Sequence, residues 1–104
     1  MPGQLGGSPN KETLAMATMF VRHQVADYST WRQAYDSFAP TQKALGVEAA
    51  AVYQATDDPN DITVSHDFAT PEAAQAFAGS AELHDAMVAA GVKGAPSVWL
   101  TNRA

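Results

Sequence analysis

Ile62-Thr-Val-Ser-His-Asp-Phe68, followed at once by Ala69-Thr70-Pro71-Glu72, is the stretch on which the fold turns. The first seven residues alternate. Ile62, Val64, His66 and Phe68 share one face of a strand, and Thr63, Ser65 and Asp67 share the other. Thr70-Pro71-Glu72 then supplies an N-cap, a proline at the first helical position and an acid in the first turn. A strand with one apolar face that runs straight into a helix buries that face under the helix. The same alternation occurs in Met19-Phe-Val-Arg-His-Gln-Val25, where Met19, Val21, His23 and Val25 line up. Each strand thus carries one histidine among apolar neighbours, and such an imidazole needs a hydrogen-bond partner or a ligand.

Outward from these two strands the chain alternates strand and helix. The first strand runs from about Thr18 to Val25. Asp27 or Ser29 caps a helix in which Trp31, Ala34, Tyr35 and Phe38 recur at helical spacing. Arg32 and Asp36 form a weak pair on another face. Pro40 interrupts the helix, Thr41 to Leu45 adds a further turn, and Gly46 suits the position after its end. Val47 to Ala55 reads as a second strand with Ala49, Ala51 and Tyr53 on one face. Thr56-Asp-Asp-Pro-Asn-Asp61 reads as a hairpin connection. The helix after Thr70 extends to about Gly79, and Ser80 caps a second segment that ends at Gly91. Lys93-Gly-Ala-Pro96 reads as a loop and Ser97 to Thr101 as the last strand.

The order βαββαβ predicts an α+β, ferredoxin-like domain: an antiparallel sheet with the helices on one face. The first and third strands are expected as central neighbours running parallel, with His23 and His66 at the same end and facing the helices. The other face carries Phe20, Arg22, Gln24, Thr63, Ser65 and Asp67, and Arg22 is expected to pair with Asp67 across it. A second sheet closing on that face would make a dimeric α/β barrel.

The 104 residues suit one domain, and 46% hydrophobic content suffices for a modest core that a second copy would supplement. Residues 18–104 are read as that domain. Met1 to Asn10 holds three glycines and two prolines, and residues 1–17 are read as a disordered N-terminal tail. Met16 and Met19 are alternative starts. Six basic residues against eleven acidic give a net charge of −5. The basic residues are scattered, so no nucleic-acid partner is expected. No cysteine is present, which excludes thiol chemistry and suits a cytoplasmic protein. No apolar run approaches membrane-spanning length and the first eighteen residues lack a signal-peptide pattern, so no membrane partner is expected.

The chain resembles the dimeric α/β-barrel superfamily, in particular small proteins of the antibiotic-biosynthesis-monooxygenase and polyketide-cyclase type. The resemblance covers about Met19 to Asn102. It rests on Phe20-Val-Arg-His23, Tyr28-Ser-Thr-Trp-Arg-Gln-Ala-Tyr35, Ala51-Val-Tyr53, Asp57-Asp-Pro-Asn60 and Val64-Ser-His-Asp-Phe-Ala-Thr-Pro-Glu-Ala-Ala74. It implies a homodimer and a pocket between helices and sheet that takes a small apolar or aromatic molecule. The residues expected to line it are Val21, Trp31, Tyr35, Phe38, Val64, Phe68 and His84. Cyclase-like members use a first-strand histidine, matched here by His23, and a helix histidine, matched by His84 with a one-residue gap. A tyrosine assists, and Tyr28, Tyr35 and Tyr53 are the candidates. Haem-degrading members carry an asparagine on the first strand, which this strand lacks.

His23 and His66 are the expected catalytic pair, because histidine titrates near working pH. The alternative is two core imidazoles with satisfied nitrogens. His84, within Leu83-His-Asp85, also reads as a helix-surface residue. No metal is expected, since Asp67 points away from the histidines and no facial triad forms. The acidic Asp57–Asp61 run lacks calcium-loop spacing. No phosphate-cradling glycine loop, nucleophile elbow or glycosidase carboxylate pair occurs. The expected function is a cofactor-independent enzyme that begins cyclisation or oxygenation of an aromatic or polyketide-like compound by removing a proton. The alternatives are a non-catalytic ligand-binding protein and a structural homodimer of the same fold.

Overall fold

The computed structural model describes residues 16–104. The expected tail therefore lies outside the described residues, apart from Met16 and Ala17. The elements are β1 (Ala17–Val25), α1 (Tyr28–Ser37), α2 (Ala39–Ala44), β2 (Ala49–Ala55), β3 (Asp58–Phe68), α3 (Pro71–Ala78), α4 (Ala81–Ala89) and β4 (Val92–Asn102). This is the expected βαββαβ order with each helical stretch in two pieces. Among the described residues no helix is long and apolar enough to cross a membrane.

Local chemistry sets the helix boundaries. Asp27, the first of the two candidate caps, accepts from the Thr30 N–H at 3.0 Å. Thr70 caps α3 through the Ala73 N–H at 3.1 Å, and Ser80 caps α4 through the Leu83 N–H at 3.2 Å. Pro40 sits in the first turn of α2, where its missing N–H costs nothing. Gly46 and Gly91 follow α2 and α4 with φ of 102° and 81°. Side chains rarely adopt that left-handed region.

The sheet order is β2-β3-β1-β4, and every neighbouring pair is antiparallel. The expectation that β1 and β3 run parallel is corrected. One helix crossing brings the chain back parallel to its start, as β2, and the short hairpin then reverses it, so β3 opposes β1. The register sets Val21 opposite Val64, His23 opposite Ile62 and Met19 opposite His66. Both histidines lie toward the C-terminal ends of antiparallel strands, hence at opposite ends rather than the same one. Four residues of strand separate their levels, about 13 Å at the rise of a β-strand.

Two further boundaries differ. β3 begins at Asp58 and not at Ile62, so the hairpin connection shrinks to Thr56 and Asp57. Pro59 tolerates this because the register shifts there and the ladder asks no N–H of it. The Lys93–Pro96 segment is also strand. Arg22 faces Ser97 and Gln24 faces Lys93, so Gly94, Ala95 and Pro96 stand opposite the single residue His23. This is a bulge, with Gly94 at φ 70°.

Ala17, Met19, Val21, Phe68, Ala74, Phe77 and Leu83 pack as one core cluster. Val25, Trp31, Ile62, Val64 and Ala90 pack as a second. The helices cover the sheet face that carries both clusters, as the alternation requires. On the open face Phe20 stacks on Trp99 with centroids 5.4 Å apart. Arg22 does not pair with Asp67. Its Nε and terminal nitrogen donate to Asp61 at 3.0 and 2.6 Å, while the Thr18 hydroxyl donates to Asp67 at 2.7 Å. The antiparallel register places Asp67 opposite Thr18 and brings Asp61 within reach of Arg22.

Candidate active site

The seam between the two clusters is a cavity under the helices. β1 supplies Val21 and His23, and β3 supplies Val64 and His66. α1 supplies Trp31, Ala34 and Tyr35, and the α1–α2 corner supplies Phe38 and Gln42. Leu83, Ala86, Met87 and Ala90 of and just after α4 form the roof. No lining residue carries a permanent charge. The free volume is about 30 Å³, room for a water or two. A cavity of about 150 Å³ is needed for a benzene ring. An aromatic ligand therefore enters only when the roof side chains, Leu83 and Met87 foremost, give way.

Aromatic rings order the wall. Trp31 and Tyr35, four apart on α1, stack with centroids 4.8 Å apart. Trp31 meets the His23 ring edge-on at 5.7 Å. Phe77 packs at 5.4 Å from both His66 and Phe68.

The two histidines differ in their bonding. His23 is 7% exposed, and both ring nitrogens are buried without a partner among the described residues. His66 is 2% exposed. Its Nε2 lies 3.3 Å from the Tyr35 hydroxyl and 3.3 Å from the Gln42 amide nitrogen, while Nδ1 is buried without a partner. Buried polar atoms normally find partners, so three orphaned nitrogens on two cavity-lining imidazoles point to a ligand or ordered water. Burial lowers the His23 pKa, and the Asp61 carboxylate partly opposes this. Burial also draws His66 down to about 4, against Asp67 and with help from His23. Burial raises the Tyr35 hydroxyl, opposed by its hydrogen bond to Gln42 and by Arg32. Both imidazoles are therefore neutral at neutral pH, free to accept a proton or donate a hydrogen bond.

Of the residues expected at the site, His23, His66, Val21, Trp31, Tyr35, Phe38 and Val64 meet on this cavity. Phe68 does not. It is the next inward residue after His66 and packs into the neighbouring cluster. His84 is exposed on α4 and turned away. The register explains both, since Phe68 lies opposite Ala17 at the far end of the sheet and the buried stripe of α4 passes through Leu83 and Met87. Tyr28 stacks on Trp31 outside the cavity, and Tyr53 stands on the open sheet face at 56% exposure. Among the described residues no three His, Asp or Glu side chains gather as a metal-ligand set. Ala34, Leu83, Ala86, Met87 and Ala90 also line the cavity without having been expected there, and Gln42 is the polar lining residue that strand and helix patterns did not reveal. It lies seven positions after Tyr35, two helical turns on, but Pro40 breaks the phase between them.

No protein-family model and no curated protein sequence matches the chain. Solved structures do match in fold. SnoaB from Streptomyces nogalater, described as a cofactor-independent oxygenase, aligns over 86% of this chain and 95% of its own at 13% identity and a TM-score of 0.67. A Bordetella bronchiseptica protein provisionally named an antibiotic biosynthesis monooxygenase aligns over 86% and 98% at 14% identity and a TM-score of 0.74. Rv0793 from Mycobacterium tuberculosis aligns over 86% and 95% at 14% identity and a TM-score of 0.65. The chain thus shares the ferredoxin-like α+β fold of these structures.

Proposed function

We propose that the chain is a small cofactor-independent enzyme that oxygenates an aromatic or polyketide-like phenol in the cavity between helices and sheet, and that it works as a homodimer. The observation that carries the reading is His23. It is a neutral imidazole with both nitrogens buried and unpartnered, on an apolar wall faced by Trp31. A base so placed takes a phenolic proton without competition from water. The resulting phenolate is rich enough in electrons to reduce dioxygen directly. One oxygen atom bonds to a ring carbon. The hydrogen of that carbon and the phenolic proton leave with the other oxygen as water, so phenol and dioxygen give quinone and water. His66 and Tyr35 stabilise the developing oxyanion from the opposite flank. The same deprotonation would start a cyclisation. Oxygenation is preferred because SnoaB, a cofactor-independent oxygenase, shares the fold.

Dimerisation is supported by the open sheet face. Among the described residues nothing covers the Phe20–Trp99 stack or Tyr53 there, and Trp99 is 44% exposed.

The test is oxygen consumption by the purified protein with a panel of polycyclic phenols. Turnover is expected, and His23→Ala is expected to lower it by a factor on the order of 10²–10⁴. If His23→Ala and His66→Ala both retain full turnover of a substrate so found, the acid–base reading fails. Binding without turnover would make the protein a carrier.

A further inference from the structure

We propose that Gln42 is a positioning residue: its side-chain amide holds the ring proton of His66 on Nδ1, making His66 a hydrogen-bond donor and leaving His23 as the base. The inference builds on the oxygenase reading for its consequence, but its test needs no substrate.

Gln42 is 4% exposed and, with the two histidines, completes the buried polar residues among those described. A buried amide is retained at a cost unless it bonds well. Its backbone is anchored on both sides: the N–H donates to Phe38 O at 3.0 Å, and the carbonyl accepts from Val47 N–H at 3.0 Å. The side chain is thereby directed at His66, with its nitrogen 3.3 Å from Nε2.

That contact decides the tautomer. In the amide orientation of the structure the nitrogen faces Nε2. An amide nitrogen only donates, so in that orientation Nε2 accepts, and a neutral imidazole with Nε2 unprotonated carries its proton on Nδ1. The Tyr35 hydroxyl, also 3.3 Å from Nε2, can donate or accept and fits either tautomer. Gln42 therefore breaks the tie. With the proton on Nε2, two N–H groups would face each other at this distance. The orphaned Nδ1 then becomes an orphaned donor, the group that an oxyanion or a phenolic oxygen would satisfy. His66 cannot serve as a second base in this state, because its one lone pair is engaged by Gln42. His23 has no such neighbour, and either of its nitrogens is free to act.

The experiment is a long-range proton–nitrogen correlation spectrum of the ligand-free full chain with nitrogen-15 histidine, with His66 assigned by the loss of its signals in His66→Gln. At neutral pH the wild-type protein is expected to show His66 as a single Nδ1–H form. Gln42→Met, close in shape but unable to donate, is expected to shift population to the Nε2–H form, in which Tyr35 accepts. Gln42→Glu, whose carboxylate can only accept, is expected to move the proton to Nε2 completely. A wild-type spectrum with His66 in the Nε2–H form or in a mixture overturns the proposal, and so does an unchanged Nδ1–H signature in the folded variants. The wild-type result stands even if a variant fails to fold. A wild-type protein that consumes no oxygen with any phenol of the panel would end the oxygenase reading and leave the tautomer intact, so the two failures are distinguishable.

Discussion

Burial draws His66 down to about 4, so between that value and the ordinary 6.5 the unfolded chain binds a proton that the folded protein refuses. Stability then rises with pH across this window. It is complete above about 6.5, and roughly 3 kcal/mol is lost on descending to pH 4 from this one group. His23, lowered for the same reason, adds loss in the same direction. Urea unfolding of wild type and His66→Gln at pH 7, 5.5 and 4 measures the effect. The wild type is expected to weaken more steeply, and equal slopes would mean that His66 is not held neutral by the fold. The placement of both histidines on the helix-facing side was legible from alternation alone. Their bonding was not, because Gln42 reaches His66 from a separate short helix, α2, whose first turn holds Pro40.

α4 is the roof of the cavity and is short, nine residues held between a side-chain cap and a glycine. Isolated helices of this length are marginal, so its ends matter. Ser80→Ala, which removes the cap, is expected to cost about 1 kcal/mol. Gly91→Ala, at φ 81°, is expected to cost about as much because alanine resists that conformation. Denaturant midpoints check both. Hydrogen exchange should show the α4 amides opening first in either variant, and uniform loss across the sheet would contradict a locally stabilised roof. In α3, Phe77 stacks against both His66 and Phe68. Phe77→Ala is expected to cost about 3–5 kcal/mol. The caps at Thr70 and Ser80 were readable from residue type, and Asp27 was one of two candidates for α1. The true lengths of β3 and β4 were not. Pro59, Gly94 and Pro96 look like breakers in isolation, and only pairing to β2 and β1 carries the strand through them.

Taken as a unit, the described residues leave one sheet face uncovered, and it carries a stacked aromatic pair and Tyr53. Light scattering at micromolar concentration is expected to give a dimer. Trp99→Asp combined with Phe20→Asp is expected to shift it to monomer without changing the far-ultraviolet circular dichroism. A monomeric wild type would count against the barrel. The face itself was legible from the alternation of β1 and β3. Its ion pair was not, since Arg22 bonds Asp61 through a register that strand pattern does not specify.

Periodicity and capping chemistry, both local, were enough to establish the element order, the helix starts, the apolar face and the presence of a histidine on each central strand. Strand direction, register and bulges depend on partners far along the chain. They placed His23 and His66 on opposite flanks of one cavity, sent Phe68 and His84 elsewhere, and brought Gln42 onto His66. Alternation says which side of a sheet a residue faces, and nothing about which residue lies across from it. That second relation comes from packing, and it decides which nitrogen has a partner and which is left free.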